Sequence, residues 1–465
     1  MLAPANDLPP EIISHIGRYV LGDDAIDTRA IVPLTHVCRY WRDSIVSTPE
    51  NWTLVSNERL EDLAALSLER SKAAPLTIRL NLYKLELTKH PRFRELLLSH
   101  IQDTRSLFVF GFHAIKELTR ALPNFPKSMS NLRSLTLLNN GIAEWTQPID
   151  PFYFSTHTLK NLSLRNVPLY PSFLSIRTLT ELTLVVNYNL HLDTLLNFLE
   201  ESHLLESAYL EIGFAKPSLH DSRHQIPIRN QLRRLSICCF EAVDGRALIS
   251  NIALRRGATL EIDYHSAEDE GLADLLSGVS TAHLPNLASP ISIEYRSSQQ
   301  IIRLSGPDGR FTLRGSFRLK NVFREFPPLA FDNIREFRLE NRAPPIPTEI
   351  HLSSFPSLEV LVIIGCTNVS QVLFTLLPNP THCPLLKTLA FLDCVTTEGS
   401  MDELTRFASD REGTTSTPLH RVVVVGSDGV PPDVASMVQL RRHVPVVEVI
   451  EGCKLPTDLS EYLLF

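Results

Sequence analysis

Histidine and cysteine are the residues in this chain whose spacing could support metal binding or nucleophilic chemistry. His220 and His224 lie four apart, a spacing that places two imidazoles on one face of a helix, but the surrounding stretch SLHDSRHQIP supplies no further ligand set. Cys238 and Cys239 follow an apolar run and are typical of packed thiols. We therefore expect both histidines in an exposed loop, both cysteines in a core, and no metal site.

Sequence motifs of the common enzyme classes are absent. There is no phosphate-binding loop, no Gly-x-Gly-x-x-Gly fingerprint, no His-Glu-x-x-His and no Gly-x-Ser-x-Gly elbow. Candidate acids, bases and nucleophiles are present, but no spacing selects any of them. The expectation is a non-catalytic protein without a cofactor.

The amino-acid composition indicates the class of protein to expect and the cellular compartment in which we expect it. The net charge of -7 is too mild for the whole protein to bind nucleic acid by electrostatics. Seven cysteines without a Cys-x-x-Cys pair indicate reduced thiols, hence a cytoplasmic or nuclear protein. Apolar runs such as Leu358 to Ile364 are far shorter than the roughly 20 residues of a membrane helix, and the polar start predicts no signal peptide.

Residues 7–52 contain two amphipathic stretches separated by the polar break GDDAIDT. Asp7 suits a helix cap, and Pro9 and Pro10 suit a first turn, where an amide donor is not needed. An apolar stripe at four-residue spacing follows, formed by Ile12, Ile16 and Val20. A second helical stripe, which Pro33 starts or kinks, is formed by Ile31, Leu34, Val37 or Cys38, Trp41 and Ile45.

This order of residues resembles an F-box, most closely those of the expanded F-box families of mushroom-forming fungi. The family pattern runs Leu-Pro-x-Glu-Ile, several apolar positions, Val-Cys-Arg-x-Trp-Arg and a late Trp. The matching residues are Leu8, Pro9, Glu11, Ile12, Ile16, Val37, Cys38, Arg39, Trp41, Arg42 and Trp52. The match spans residues 8–52 of 465, and the connection from Leu21 to Ala30 is longer than the family's.

The resemblance implies docking to the Skp-type adaptor, and through it to a cullin, in an SCF ubiquitin ligase. A piece this small cannot bury a good core alone, so apolar residues would be left for a partner to cover. The implied adaptor-binding residues are Leu8, Pro9, Ile12, Ile16, Leu34, Val37, Cys38, Trp41 and Ile45. The alternative is that the stretch caps the following domain, with Trp41 and Trp52 as core.

A weak repeat, apolar-x-x-apolar-x-apolar, fills most of the remaining chain. Successive copies begin at Thr104, Leu132, Leu159 and Leu179, and later at Leu205, Leu232, Ile334, Leu358, Leu386 and Leu419. Gaps of 28, 27 and 20 residues follow Thr104, and gaps of 24 and 28 residues follow Ile334, and these fall within the 20–29 residues of a leucine-rich repeat. Asn140, Asn187, Cys366 and Cys394 stand where such a repeat has Asn or Cys. We expect stacked parallel strands with helices or loops behind them.

The rhythm of the repeat fails over 284–331. ISIEY, IIRL and FTLRGSFRL are separated by polar turns, including Gly306-Pro307-Asp308-Gly309, and predict two or three strands in antiparallel hairpins. From Glu294 to Arg324 there are seven Lys or Arg against two Asp or Glu. Alternation places Arg310, Arg314 and Arg318 on one face, which is either an acceptor for an acidic partner or a solvated strand face.

A target protein would bind the residues between the strand leucines, which face the concave side of a repeat array. Early repeats place polar groups there, whereas late repeats place Val360, Val362, Ile364 and Val423. These are candidate target anchors if exposed. The alternative is that strands apolar on both faces are buried on both, with Pro431 to Phe465 as a cap.

The sequence therefore predicts an α/β protein with three parts. These are a three-helix F-box over 1–54, a linker helix and entry to the repeats over 55–100, and an irregular leucine-rich repeat solenoid with a parallel sheet over 101–465. Within the linker, Glu58 to Lys72 is expected as a helix and Pro75 to Leu82 as a strand. The predicted function is a ligase subunit that binds an unidentified target protein. The alternative is a repeat scaffold for protein interactions outside any ligase.

Overall fold

The computed structural model describes residues 8–21, 28–57, 61–83, 90–111, 129–139, 158–167, 176–190, 192–214, 232–265, 284–297, 299–315, 331–340, 355–377, 381–395, 399–415, 417–426 and 434–451, with single residues between them. The chain forms two compact units. The first comprises residues 1–216 and 229–232, and the second comprises 217–228 and 233–465. The expected boundary after residue 54 falls inside the first unit.

Three helical segments open the first unit: α1 (Pro10–Val20), a 3-10 helix (Thr28–His36) and α2 (Arg39–Ser47). A 3-10 turn (Pro49–Trp52) follows them. The stretch expected as one second helix is divided at Cys38, which has an extended backbone. The Cys38 sulfur accepts a hydrogen bond from the Trp41 amide at 3.5 Å, so it caps the start of α2.

Seven strands of the first unit pair in parallel, each with the next along the chain. They are β1 (Leu54–Ser56), β2 (Leu76–Asn81), β3 (Thr104–Gly111), β4 (Ser134–Asn139), β5 (Asn161–Arg165), β6 (Glu181–Leu190) and β7 (Ser207–Phe214). The helices between them are α3 (Glu61–Ser71), α4 (Pro91–Ser99) and α5 (Leu192–Glu201), with a 3-10 turn at Ile101–Asp103. The strand predicted over 75–82 is confirmed by β2, and the helix predicted over 58–72 is confirmed by α3 from residue 61, while 58–60 lie outside the described residues.

The repeated leucines explain this register. Alternate strand residues point to one side, so a repeat copied from strand to strand aligns its apolar positions across the sheet. One such row, fully paired in register, is Leu107, Leu135, Leu162, Leu182 and Ala208, and all five are buried. We call the opposite side of each sheet its front face.

The described residues of the second unit form ten strands. They are β8 (Arg234–Cys239), β9 (Thr259–Tyr264), β10 (Ser292–Arg296), β11 (Ile301–Gly306), β12 (Gly309–Gly315), β13 (Glu336–Glu340), β14 (Val360–Ile364), β15 (Thr388–Leu392), β16 (Arg421–Gly426) and β17 (Val446–Glu451). Their spatial order is β8, β9, β12, β11, β10, β13 and then β14 to β17. Only β11 among these described strands runs antiparallel to its neighbours.

The antiparallel meander β10–β11–β12 lies where the sequence predicted hairpin strands. The turn from Gly306 to Gly309 joins β11 to β12, as predicted. Gly309 has φ +128°, and a Cβ there would meet the Ala258 carbonyl oxygen at 2.2 Å. Only glycine fits this turn, because both the backbone conformation and the close approach exclude a side chain.

Helices of the second unit are α6 (Ala242–Ser250), α7 (Pro285–Ala288), α8 (Val369–Leu376), α9 (Ser400–Thr414) and α10 (Val434–Leu440), with a 3-10 turn at Phe331–Asn333. Arg411 of α9 is fully buried, and its guanidinium donates to five backbone carbonyls, those of His382, Cys383, Pro384, Leu386 and Thr417. It thereby holds the loop that leads into β15. The predicted α/β class with a mostly parallel sheet is confirmed.

Candidate docking surfaces

The N-terminal module, residues 8–52, has a closed interior. Its buried apolar cluster consists of Ile13, Ile31, Trp41, Ile45 and Trp52. Leu63 and Leu66 of α3 pack against this cluster, so the core of the module continues into the next helix. The module is therefore not an independent three-helix piece.

Polar contacts fix the interior of the module. The Trp52 indole nitrogen donates to the Ile45 carbonyl at 3.1 Å, and the side-chain amide nitrogen of Asn51 donates to the same oxygen at 3.3 Å. The Arg70 guanidinium of α3 lies 4.4 Å above the Trp52 ring, a cation–π contact. The two hydrogen bonds satisfy the Ile45 carbonyl in the last turn of α2. The cation–π contact attaches Trp52, which follows α2, to α3.

The outside of the same module carries apolar side chains among its polar ones. We call six of its exposed apolar side chains the outer residues: Pro9, Ile12, Tyr19, Val20, Val37 and Tyr40. Ile12 and Tyr19 are seven residues apart and share one side of α1. The Tyr40 hydroxyl donates to the Leu8 carbonyl at 2.9 Å, which brings the starts of α1 and α2 together.

The nine residues predicted to bind an adaptor divide into three groups. Pro9, Ile12 and Val37 are exposed. Trp41 and Ile45 are buried, so these two cannot meet a partner in this conformation and instead support the module from within. The half-buried remainder is Leu8, Ile16, Leu34 and Cys38. Sequence reasoning missed Tyr19 and Tyr40 as surface residues, although the seven-residue spacing from Ile12 points to Tyr19.

The apolar target anchors predicted on the front face of β14 and β16 do not form an exposed patch. Val362 is 0% exposed and Val423 is 4% exposed, while Val360 and Ile364 are half-buried. Val362, Ala390 and Val423 lie side by side in register and pack in one cluster with Leu392 and Val425. Of the two alternatives, burial on both faces describes Val362 and Val423, so these two residues are not exposed anchors. Of the predicted cap, 434–451 forms α10 and β17 beside β16, and 452–465 lies outside the described residues.

The predicted basic face of β12 is exposed at Arg310 and Arg314, whereas Arg318 lies outside the described residues. Thr312, expected on the same face, is buried. Neighbouring strands supply carboxylates, and each of these is paired. Arg303 contacts Glu294 at 3.2 Å, and Arg234 contacts Glu261 at 2.9 Å.

Glu294 is the centre of this charged network. Burial alone would raise its pKa, but hydrogen bonds and charge from Arg296 and Arg303 outweigh burial and lower the pKa from its ordinary value. Arg296 also lies 3.7 Å from Glu340 on β13. Arg296 and Arg303 of the basic segment are therefore paired with carboxylates, whereas Arg310 and Arg314 are exposed.

The front face of β2 to β5 has a different composition. Tyr83, Phe108 and Phe110 form an aromatic cluster, with ring centroids 6.0 Å and 5.5 Å apart in successive pairs. Phe110 is in register with Leu138, and Leu138 with Arg165. Besides Arg79 and Asn81 of β2, the other front-face side chains are small and polar: Thr77, Ser106, Ser134, Thr136, Asn161 and Ser163.

Among the described residues, the interior of the second unit holds five buried cysteines: Cys238, Cys239, Cys366, Cys383 and Cys394. Burial raises the pKa of Cys239 and of Cys383 to about 12, which makes both thiols poor nucleophiles. Cys394 accepts from the Cys366 amide at 3.3 Å and packs inside the turn after its strand, as predicted for both residues. No group of three His, Cys, Asp or Glu side chains among the described residues could hold a metal, and His220 and His224 fall outside them.

Comparison with known proteins adds no relative: neither a family model nor a curated protein matches this chain. Within the described part of the chain, none of the helices is long and apolar enough to cross a membrane.

Proposed function

We propose that this chain is the substrate-recognition subunit of an SCF-type ubiquitin ligase. Its N-terminal module is an F-box that binds the Skp-type adaptor, and through it a cullin. Its strands and helices are irregular leucine-rich repeats that hold a target protein. Ubiquitin transfer is then a matter of proximity within the assembly, without bond chemistry on this chain.

One observation carries the proposal. The module keeps apolar side chains on its outside even though its own interior is filled. Ile12 is 46% exposed and Val37 is 52% exposed, while Ile13 and Ile45 beneath them are fully buried. Clustered exposed apolar residues on a folded protein are typical of a surface that a partner covers.

The repeat part of the proposal rests on the alignment of strands. Leucine positions of successive copies lie in register from β3 to β7, and Cys366 and Cys394 occupy equivalent turns after β14 and β15. Aligned parallel strands present their front-face side chains as one continuous surface, which suits the binding of a protein.

Adaptor binding tests the proposal directly. The full chain, and an Ile12→Asp/Val37→Asp double variant, would be measured against a purified Skp-type adaptor by biolayer interferometry. Removing a buried interface anchor costs roughly 2 kcal/mol, so the double variant is expected to weaken binding by more than about a hundredfold. Both positions are exposed, so the thermal unfolding midpoint should stay at the parent value.

Val438→Asp is the matched control. Val438 is 49% exposed, close to the 52% of Val37, but it lies on α10 of the second unit. This variant should bind the adaptor like the parent. The ligase assignment is lost if the folded parent does not bind the adaptor.

A second function, a repeat scaffold outside any ligase, is favoured by the burial of Trp41, Ile45 and Trp52 against α3. In that case the N-terminal module is a cap for the strands that follow. Absence of adaptor binding by the parent would select this function.

A further inference from the structure

Three basic side chains are stacked at the entry to β3, β4 and β5. The Arg133 amide donates to the Arg105 carbonyl, and the Lys160 amide donates to the Arg133 carbonyl, each at 2.8 Å. The three residues therefore stand at equivalent positions on neighbouring strands, which are about 4.8 Å apart. All three are exposed. We call them the basic row.

The basic row carries its positive charge without a counter-charge in the described part of the chain. Among the described residues, no carboxylate forms an ion pair with Arg105, Arg133 or Lys160. Asp103, the closest acid in sequence, lies 3.8 Å from His100. Like charges side by side on neighbouring strands destabilise a sheet, so the row is costly unless it serves another purpose.

Equivalent positions of the second unit provide an internal contrast. There Glu359 stands between Arg335 and Lys387, at 3.9 Å and 2.9 Å respectively. The same repeat position thus alternates in sign in the second unit and repeats a positive charge in the first.

Two further arginines, Arg79 in β2 and Arg165 in β5, lie on the front face. Strands β2 to β5 contain no Asp or Glu, and Asp103, directly before β3, lies beside His100. Arg165 is exposed, and no ion pair engages it among the described residues. This surface is basic within a chain of net charge -7.

We propose that the front face of β3 to β5 binds an acidic segment of a partner protein. Carboxylates or phosphates of the segment pair with the basic row, and a bulky apolar side chain packs on Phe108, Phe110 and Leu138. The hydroxyl and amide groups between them, such as Ser134 and Asn161, offer hydrogen bonds to its backbone. The inference rests on the proposed function, because it assigns the chemistry of the target.

Aromatic rings beside small polar residues form an effective protein-binding surface. Rigid rings give a large contact area at a small entropic cost, and Ser, Thr and Asn adapt their hydrogen bonds. Opposite charge speeds association and fixes the register of the bound segment. A protein segment is favoured over nucleic acid because the positive charge is confined to a few residues of an acidic chain.

Fluorescence anisotropy with labelled peptides tests the inference on the full chain. The probes are a peptide of alternating Glu and Leu, the same peptide with phosphoserine for Glu, one with Lys for Glu, and one with Ala for Leu. We expect the two anionic probes that contain Leu to bind about tenfold more tightly than either the Lys or the Ala probe, with affinity falling as salt rises. Whichever of the Glu and phosphoserine probes binds more tightly identifies the anionic group that the basic row prefers.

The decisive variant is Arg105→Glu/Arg133→Glu/Lys160→Glu, and the matched control is Arg233→Glu/Arg255→Glu/Arg442→Glu. All six positions are exposed, and the two variants change the net charge equally. The first should abolish binding of the anionic probes and the second should leave it within about twofold of the parent. The inference is overturned if the Lys probe binds equally well, if both variants lose binding alike, or if oligouridylate binds more tightly than every peptide.

Adaptor binding separates this inference from the proposed function. A chain that binds the adaptor but no anionic probe loses only the acidic-segment assignment. A chain that binds the probes but no adaptor keeps this surface and loses the ligase role.

Discussion

Val37 and Val362 have the same side chain, and the sequence predicts both as binding residues, yet the structure treats them differently. Val37 precedes α2 in the N-terminal module and is 52% exposed, whereas Val362 in β14 is 0% exposed. The difference lies in their neighbours. Val362 has Ala390 in register beside it and Val423 one strand further, so apolar atoms surround it. An apolar residue marks a docking surface only when its own chain leaves it uncovered.

The charged residues of the two units show the same dependence on neighbouring residues. The segment from Glu294 to Arg324 has seven Lys or Arg against two Asp or Glu, but in its described part Arg296 and Arg303 are paired with carboxylates. The basic row of the first unit is less conspicuous in the sequence, yet no carboxylate of the described residues pairs with it. Local composition therefore predicts where charged residues lie in the sequence, but it does not predict the electrostatic potential at the surface where a partner would bind.

The largest expected effect is the contrast between Val362→Asp and Val37→Asp. A carboxylate at position 362 would be buried without a partner, so we expect a loss of about 3–5 kcal/mol in the free energy of unfolding and poor soluble yield. The same substitution at position 37 should change stability by no more than about 0.5 kcal/mol. Soluble expression and chemical denaturation measure both.

A milder substitution keeps this comparison measurable if the charged variant does not fold. Val362→Ala should cost about 2 kcal/mol, because it leaves a cavity in a packed cluster. A Val362→Ala protein as stable as Val37→Ala would show that the β14 face is not a core.

The next effect concerns the two sides of α1. Gly17 faces the interior, where a Cβ would meet Asn51 Oδ1 at 2.7 Å and Ile45 Cδ1 at 3.0 Å. Gly17→Val should therefore destabilise the module by about 2 kcal/mol. Ile12→Ala, on the outside, should change stability by no more than about 0.5 kcal/mol. Equal unfolding midpoints for the two variants would contradict the division into a packed interior and an open exterior.

Sequence patterns predicted the strands well, because their signal is local. Leu132, Leu135 and Leu137 repeat in the neighbouring copies, and period two alone places Leu135 and Leu137 on the buried side of β4. The break at Cys38 was missed, since a thiol that caps a helix has no distinctive signature in the sequence.

The sites were harder to predict, because burial and neutralisation depend on distant residues. Trp41 matched a motif at the surface of a module, but Leu63 and Leu66 contribute to its interior from the next helix. Arg234 meets its partner Glu261 across a separation of 27 residues. Such pairs follow from strand register, which the sequence specifies only after the whole sheet is known.

The smallest expected effect is the contribution of Glu294 to the pH dependence of stability. Acid titration measures it and tests whether the carboxylate is paired with its arginines. The pKa of Glu294 is lowered from its ordinary value of 4.5, so its ionised form stabilises the folded chain at neutral pH. This contribution is present above pH 4.5 and is lost as the pH falls through the lowered, folded-state pKa. Because the side chain is 26% exposed, solvent screening limits the contribution to under about 1 kcal/mol.

Glu294→Gln should remove that pH dependence while leaving anionic-peptide binding by the basic row unchanged. Unfolding midpoints followed from neutral to acidic pH would decline less steeply for this variant than for the parent. Glu241→Gln, at an exposed carboxylate before α6, is the control and should retain the parent's slope. Identical slopes for the parent and Glu294→Gln would mean that the network around Glu294 is solvated rather than bonded. The arginines of β10 to β12 would then be as available to a partner as the basic row.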